Sequence, residues 1–371
     1  MSQEHEPIHL FSPYTLRNCT FPNRLGIPPM CLFVSKDGEV NDIHVANYAK
    51  YAQLGFGCII QEATAIVPEG RISSHCLGIW DDKFISGLKR IVDAVHFYGM
   101  KVGIQLHHAG RKASTLTHFE SPPKAAIPLD QGGWNVVSSS SIPHDSTTRI
   151  PHQLTIPEIK LIIKQWGDAA SRAVQSGYDF IEIHAAHGFL IDEFLSPICN
   201  NRTDEYGGSF ENRIRILLEI LEEVRSRIPV TMPIFVRISA MDWVQGGFDI
   251  QQSIRLSTLL VHNYEVDLMH ISTGGVAYNQ EIPKNWDFQL DVCKQIKQET
   301  DVPCACVGGI CDGKIANDMI TSGSADLVMI GRTVLRDSFI PRHVAQDLNI
   351  PGPDYAYYYK WATKKPSQSQ Y

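Results

Sequence analysis

Short apolar runs alternate with longer amphipathic segments along this chain, a pattern typical of repeated βα units around a parallel sheet. The apolar runs are rich in β-branched residues and predict eight strands, at 24–28, 58–61, 101–106, 180–184, 234–238, 267–271, 303–307 and 326–330. The amphipathic segments predict helices at 45–54, 82–98, 157–176, 210–226, 251–263, 286–298 and 313–322. Three of these helices are followed directly by Gly55, Gly99 and Gly177, where a helix is expected to end.

Eight strands separated by helices favour a closed barrel over an open sheet. The predicted fold class is therefore α/β, a single (β/α)8 TIM barrel. Residues 8–21 predict an N-terminal hairpin that closes the bottom of the barrel. The segment 107–155 is rich in Pro, Gly and Ser and predicts a capping insertion after the third strand. Since no domain boundary is visible, residues 1–371 are predicted to form one domain, with a tail at 352–371.

Composition and charge narrow the function classes. The formal net charge is −7, and no block of Lys and Arg suggests a site for a phosphate backbone, so we do not expect a nucleic acid partner. The first seven residues lack a signal pattern and no long uncharged apolar stretch occurs, so we expect a soluble, cytoplasmic protein without a membrane partner.

The odd number of cysteines, nine, argues against a disulfide framework. The spacing of Cys304, Cys306 and Cys311 matches no common metal site, so no metal is expected.

Polar residues and glycines follow several predicted strands, where the active sites of such barrels form. Gly308 and Gly309 follow the seventh strand, and Gly331 and Arg332 follow the eighth. Backbone N–H groups and a guanidinium at these two strand ends favour a phosphate site. The alternative is that the glycines only form tight turns.

Two further strand ends suggest a planar, partly anionic ligand. Gln105 carries both an amide donor and an acceptor, which suits the edge of a heterocycle. Arg237 ends an apolar strand, where an anionic partner would offset its desolvation. The anionic ring of a reduced flavin is one such partner, and an ion pair with Asp242 is the alternative.

His184 and His187 lie three residues apart where the fourth strand ends. Two imidazoles on one face can donate hydrogen bonds to a carbonyl or phenolate oxygen, whereas a zinc site would need a third ligand, and none is evident. Core histidines are the alternative. Cys31 follows Pro28, Pro29 and Met30 at the first strand end, without a helper residue that would make it a nucleophile.

Several stretches of the chain together resemble the Old Yellow Enzyme flavoproteins. The match runs over nearly the whole length and includes Pro29-Met30-Cys31, Gln105-Leu106 with His108-Ala109-Gly110-Arg111-Lys112, His184-Ala185-Ala186-His187-Gly188, Asn201-Arg202-Thr203-Asp204-Glu205-Tyr206-Gly207-Gly208-Ser209, Val236-Arg237 and Gly331-Arg332. The thiol at Cys31 is similar to that of the thermophilic-like ene-reductase branch.

The resemblance implies a barrel that binds FMN and takes hydride from NADPH or NADH. Flavin N5 would then pass the hydride, in a ping-pong reaction, to an activated alkene such as an α,β-unsaturated carbonyl or nitro compound. The residues implied to hold FMN are Pro28, Pro29, Met30, Cys31, Ala63, Gln105, Arg237, Gly308, Gly309, Gly331 and Arg332. The residues implied to contact substrate are Phe33, Lys112, His184, His187 and Phe189, with the histidine pair holding the substrate oxygen.

The chain departs from the family pattern at three places. Phe189 stands where the family commonly has a proton-donating Tyr, so Tyr278 or a water is expected to donate the proton. Phe33 replaces a common Tyr. The segment 357–361 does not match the one through which related enzymes lend an Arg to a neighbouring active site, so sites shared between subunits are not expected, while a homodimer stays a candidate assembly. The alternative functions are an FMN-binding reductase or oxidase with little ene-reduction, and a flavin-free aldolase, for which no strand-end Lys is found.

Overall fold

The computed structural model describes residues 7–285, 287–356 and 359. Its strands are β1 (Tyr14–Leu16), β2 (Cys19–Phe21), β3 (Leu25–Ile27), β4 (Cys58–Ala65), β5 (Lys101–His107), β6 (Val137–Ser138), β7 (His152–Gln153), β8 (Phe180–Ala185), β9 (Ile234–Ser239), β10 (Leu268–Ser272), β11 (Cys304–Val307) and β12 (Leu327–Met329). Its α-helices are α1 (Asp42–Ala52), α2 (Ile85–His96), α3 (Ile156–Ser176), α4 (Leu190–Leu195), α5 (Phe210–Arg227), α6 (Ile250–Asn263), α7 (Phe288–Thr300), α8 (Gly313–Thr321), α9 (Arg332–Arg336) and α10 (Ile340–Leu348).

Eight strands form one closed barrel in the order β3, β4, β5, β8, β9, β10, β11 and β12, with β12 pairing back to β3. Every neighbouring pair is parallel. The predicted (β/α)8 barrel is therefore confirmed, and each predicted strand overlaps an observed one. The largest difference is β4, which continues past a register shift between Gln61 and Thr64 and is four residues longer than predicted.

The helix boundaries follow capping chemistry. Thr155 caps α3 and exchanges hydrogen bonds with Glu158, while Gly177 ends the helix at φ 90°. Asn41 caps α1, so this helix begins three residues before its predicted start. Residues Asp82–Phe84 form a separate 3-10 turn, so α2 is shorter than predicted. The predicted start of the next-to-last helix, Trp286, lies outside the described residues, and α7 begins at Phe288. The sequence did not predict α4, α9 and α10.

The predicted hairpin is confirmed by antiparallel β1 and β2. Phe21 of β2 packs edge-on against Phe180, with ring centroids 5.6 Å apart, and lies 6.2 Å from Phe235. Because Phe180 and Phe235 lie at the beginning of β8 and β9, the hairpin closes the end of the barrel opposite the site described below. The larger core lies between the strands and the surrounding helices.

The segment between β5 and α3 carries β6 and β7 and packs beside the carboxyl end of the barrel. Arg111 ties it to neighbouring loops, since its guanidinium donates to the backbone oxygens of Ile142 and Val276. In the described part of the chain, no helix is long and apolar enough to cross a membrane.

Candidate active site

A cavity of about 610 Å³ opens at the carboxyl end of the barrel strands. Eight of the residues that the sequence assigns to FMN line it, namely Pro28, Pro29, Met30, Arg237, Gly308, Gly309, Gly331 and Arg332. They belong to four different strand ends, which meet here because parallel strands of a barrel end on the same face. The predicted cofactor residues are thus largely brought together in one place.

One end of this cavity suits a phosphate group. Gly308 and Gly309 have φ values of 103° and 67°, a left-handed conformation that glycine adopts without strain and that points successive N–H groups outward. Arg332 and Arg336, one helical turn apart on α9, also line the cavity. The sequence interpretation missed Arg336, although its spacing of four residues from Arg332 places both on one helix face.

Arg237 lies at the other end of the cavity, almost fully buried, and its Nε has no partner. The alternative pairing with Asp242 is wrong, because Asp242 accepts hydrogen bonds from Ser196 Oγ and the Phe248 N–H. Burial lowers the pKa of Arg237, and the nearby Glu182 opposes this shift. A cation with an unused donor at a cavity wall is suited to an anionic ligand.

Beneath Arg237 a buried polar network crosses the barrel. Glu182 accepts a hydrogen bond from Gln105 Nε2 at 2.8 Å and contacts His270 Nδ1 at 2.6 Å. The Gln105 amide is therefore already engaged, and Gln105 does not line the cavity described above. The sequence interpretation missed Glu182 and His270, whose signal is a charged or polar residue inside an otherwise apolar strand.

Two other predicted cofactor residues lie close by but outside the lining of the cavity. Cys31 is half-buried, and desolvation raises the pKa of its thiol well above the ordinary value, so it is not an activated nucleophile. Ala63 is buried within β4. The neighbouring Glu62 accepts a hydrogen bond from the Leu32 N–H at 2.9 Å, which fixes the backbone just after Cys31.

The predicted histidine pair lies where β8 ends. The rings of His184 and His187 are perpendicular, with centroids 5.2 Å apart. Burial lowers the pKa of both imidazoles well below the ordinary value, so both are neutral at pH 7. A neutral imidazole retains one N–H donor, and neighbouring neutral imidazoles do not repel each other. The pair can thus offer hydrogen bonds to one ligand oxygen.

A hydrogen-bond chain orients His187. Its Nε2 lies 2.7 Å from Ser272 Oγ, and Gln289 Nε2 donates to that same oxygen at 3.2 Å. The Ser272 hydroxyl can accept from Gln289 and donate its own hydrogen to His187 Nε2, and in that arrangement the proton of the imidazole is on Nδ1. The His187 backbone, at φ 61°, is held by a hydrogen bond from its N–H to Ser239 Oγ. Ser272 and Gln289 were not assigned a role from the sequence.

A second cavity, of about 200 Å³, is not lined by the histidine pair itself but by two residues that contact it, Lys112 and Phe189. The three remaining predicted substrate residues, Phe33, Lys112 and Phe189, all line it. Lys112 Nζ donates to the backbone oxygens of His187 and Gly275, at 2.7 and 2.9 Å, and lies over the Phe189 ring. Burial lowers the pKa of Lys112 to about 8.

Two further residues near the site contrast in exposure. Tyr278, the predicted proton donor, lies in the loop after β10, is 73% exposed and lines neither cavity. His107, which the sequence interpretation missed, is 1% exposed, and neither ring nitrogen has a partner. Its ring lies 5.1 Å from that of His184 and edge-on to that of Phe189 at 4.4 Å.

The cysteines are all free thiols. Seven are buried, Cys31 is half-buried and Cys311 is exposed at the wall of the larger cavity. Within residues 7–285, 287–356 and 359, no group of three or more potential metal-ligating side chains is arranged around a common point.

The larger cavity fits FMN on the chemistry of its walls. The unpaired Nε of Arg237 suits the electron-rich pyrimidine side of the ring, and the glycine pair with two arginines suits the phosphate. The volume of about 610 Å³ is in the range of cofactor sites. Residues from β3, β9, β11 and β12 would therefore hold the cofactor, with the histidine pair at its edge.

Comparison with known proteins agrees with this arrangement. Residues 9–350 match the model of the NADH:flavin oxidoreductase / NADH oxidase family. An NADH:flavin oxidoreductase of Gibberella zeae is 39% identical over 358 residues, covering 92% of this chain and 86% of the relative. The NADPH dehydrogenase of Bacillus subtilis is 39% identical over 348 residues, covering 93% and 97%.

Solved structures show the same fold. Morphinone reductase superposes with a TM-score of 0.77 at 25% identity, covering 95% of this chain and 92% of that protein. An old yellow enzyme homologue from Zymomonas mobilis superposes with a TM-score of 0.75 at 26% identity, covering 96% and 97%.

Proposed function

This chain belongs to the NADH:flavin oxidoreductase / NADH oxidase family, as an Old Yellow Enzyme homologue, and from this premise we propose that it reduces activated C=C bonds. It is an FMN-dependent NADPH oxidoreductase in its general activity. The proposal adds the electron acceptor, an α,β-unsaturated carbonyl or nitro compound. A ping-pong order of reaction is part of the proposal, because the reduced nicotinamide and the alkene would use the same cavity.

The observation that carries the proposal is the neutral histidine pair beside the cofactor cavity. When bound, FMN supplies the hydride transfer, first from NADPH or NADH and then to the alkene. His184 and His187 bind the carbonyl or nitro oxygen, on which negative charge develops as hydride reaches the β-carbon. Before substrate arrives, a hydrogen bond to Ser272 holds the His187 ring, and the His184 ring packs against His107 and Phe189, so little reorganisation is needed during the reaction.

The remaining assignments follow the cavity walls. Arg237 stabilises negative charge on the ring of the cofactor, while Gly308, Gly309, Gly331 and Arg332 bind its phosphate. Phe33 and Phe189 form apolar walls that position the alkene. The segment 107–155 supplies most of the lining of the smaller cavity and so covers this side of the site.

The proton for the α-carbon needs a separate source, because the Phe189 ring has no donor. We assign it to Tyr278 or to a water molecule that enters through the open side of the cavity. Tyr278→Phe should slow only reoxidation by an enone if Tyr278 donates. An unchanged rate would leave the water as the donor.

Anaerobic stopped-flow mixing tests the proposal. NADPH should bleach the yellow colour of the holoenzyme, and 2-cyclohexenone should restore it. Bleaching that only oxygen reverses would instead support the second candidate, a flavin reductase or oxidase with little ene-reduction, which Phe189 favours. Protein that stays colourless with added FMN would contradict both.

A double variant tests the histidine assignment. His184→Ala with His187→Ala should abolish the charge-transfer band that phenols produce with bound FMN while FMN remains bound. His262→Ala, an exposed histidine on α6, is the matched control and should leave the band unchanged. Unaltered phenol affinity in the double variant would overturn the assignment.

A further inference from the structure

The smaller cavity beside the histidine pair has an unusual charge distribution. Its walls carry two lysines, Lys112 and Lys124, but a single carboxylate, Asp145, and burial lowers the pKa of His118 and His144, so these two imidazoles are neutral at pH 7. For the reduction of a neutral enone, apolar walls would be sufficient. The excess of positive charge therefore needs a separate explanation.

Asp145 does not neutralise the lysines, because its own loop occupies it. Its Oδ1 accepts hydrogen bonds from the Thr147 N–H at 2.7 Å, the Thr147 hydroxyl at 2.6 Å and the Thr148 N–H at 3.1 Å. No ion pair joins it to a lysine in the described part of the chain. Its carboxylate thus stabilises a turn in the insertion rather than a cation in the cavity.

Lys112 retains an unused donor. Two of its three ammonium N–H groups donate to the backbone oxygens of His187 and Gly275, and the third has no protein acceptor among the described residues. The carboxyl groups behind it, Asp192 and Glu193, are fully buried, and burial raises the pKa of both. They therefore compensate the charge of Lys112 only weakly.

Lys124, whose side chain is exposed, lines the same cavity from the loop 114–127 that follows Lys112. Hydrogen bonds from the Leu116 N–H to the Ala125 oxygen and from the Ile127 N–H to the Ser114 oxygen hold this loop, so the backbone of Lys124 is fixed. Its ammonium has no hydrogen bond or ion pair within the chain as described. Two lysines that line one small cavity, whose one carboxylate is engaged by its own loop, repel each other, and a bound anion would remove that repulsion.

We infer that this cavity is an anion subsite, which binds a carboxylate or phosphate of the molecule held by His184 and His187 through Lys112 and Lys124. This inference rests on the proposed function, since it names the substrate class of that site. The preferred alkene would carry its activating carbonyl at the histidines and an acidic group a few atoms away. The same chemistry could come from the 2′-phosphate of NADPH, and the experiment separates the two sources.

The first measurement is binding, which needs no turnover. Holoenzyme is titrated with 4-hydroxyphenylacetate and with 4-hydroxyphenylacetamide, followed by flavin absorbance. The two phenols differ in charge, and the methylene spacer keeps their phenol groups similar. We expect the acid to bind about tenfold tighter than the amide. Lys124→Gln should reduce this preference by a factor of about five, as expected for the loss of one partly exposed ion pair in a cavity.

Two variants control for charge and for folding. Lys124→Arg keeps the cation and should keep the preference, whereas Lys164→Gln removes an exposed lysine on α3, far from the cavity, and should also leave it unchanged. A preference that Lys164→Gln reduces equally would reflect net charge alone and would overturn the subsite.

The second measurement locates the anion. If Lys124→Gln slows cofactor reduction by NADPH but not by NADH, the subsite binds the coenzyme phosphate. If it weakens the acid but not the amide, the subsite binds a substrate carboxylate. The inference would be overturned if Lys124→Gln affected NADPH and NADH equally and the acid and the amide equally, or if it affected none of the four. The proposed function fails separately, when 2-cyclohexenone does not restore the colour, and the phenol titration still reports on the subsite in that case.

Discussion

Removing the hydroxyl of Ser272 should weaken substrate binding without changing the shape of the site. In the protein, Ser272 Oγ lies 2.7 Å from His187 Nε2 and accepts from Gln289. We assign the Ser272 hydroxyl as the donor to Nε2, which places the imidazole proton on Nδ1. Ser272→Ala removes the partner of Nε2, so both tautomers of His187 become accessible. Only one of them presents a donor at Nδ1 to the substrate oxygen.

The size of the effect follows from the burial of this contact. Ser272 is 3% exposed, and a buried neutral hydrogen bond contributes about 1 kcal/mol net. Losing it lowers the share of the binding tautomer from about five sixths to about one half, so we expect a phenol dissociation constant about twofold higher. The rate of reoxidation by an enone should fall by a similar factor, since the same donor binds the developing oxyanion. Ser272→Thr keeps the hydroxyl and should restore most of the affinity.

Two assays check this expectation. Titration with a phenol, followed by flavin absorbance, gives the affinity, and long-range 15N–1H NMR of the His187 ring reports directly which nitrogen carries the proton. A ring that is protonated at Nε2 in the unmodified protein would refute the reasoning. Phenol affinity that is the same in Ser272→Ala would also refute it.

Three further predictions concern stability and cofactor binding. Burial lowers the pKa of His107, so the unfolded chain binds an extra proton below pH 6.5 and the folded protein loses stability as the pH falls. His107→Leu should therefore be more stable than the parent protein at pH 5.5. A difference in unfolding free energy between the two proteins that is as large at pH 8 as at pH 5.5 would contradict this. Burial raises the pKa of Glu62 from 4.5 to about 7, so the stability that its carboxyl allows is fully present below pH 4.5 and is lost as the pH rises through 7. The free energy of unfolding of Glu62→Gln, measured by urea titration, should exceed that of the parent protein by about 3 kcal/mol at pH 8 and equal it at pH 4. Arg336→Ala should weaken FMN binding to apoprotein about fivefold, measured by fluorescence quenching, whereas an equal loss in Arg90→Ala, remote on α2, would mean a general charge effect.

The strands and their functional ends could be predicted because both depend on local pattern. Buried parallel strands are continuous apolar runs, and the barrel itself brings their carboxyl ends together, so residues such as Arg237 and Gly308 were placed without knowing any distance. The family motifs then added roles to positions that were already singled out.

What could not be predicted depends on contacts between distant residues. Ser272 orients His187 from 85 positions away, and Glu182 reaches Gln105 across 77. In a strand buried on both faces, the sequence does not show which side points inward. The helix α9 was missed for another reason, because its five residues are too few for a clear periodicity to develop. The helix α10 is as long as the predicted α8 and is amphipathic, so its pattern was present in the sequence and was overlooked.

Two strand pairings of the barrel are equally short, β3 with β4 and β3 with β12, and the second forms a joint beside the cofactor cavity. β3 pairs with β12 at only Val328–Leu25 and Met329–Gly26, whereas β8 and β9 pair at five positions. The loops that leave β3 and β12 carry Pro28 to Met30 and Gly331 to Arg336, which face each other across that cavity. A cofactor that contacts both loops stabilises the pairing of β3 with β12. After loss of FMN, this pairing should therefore be the first part of the barrel to open to proteases and to amide hydrogen exchange.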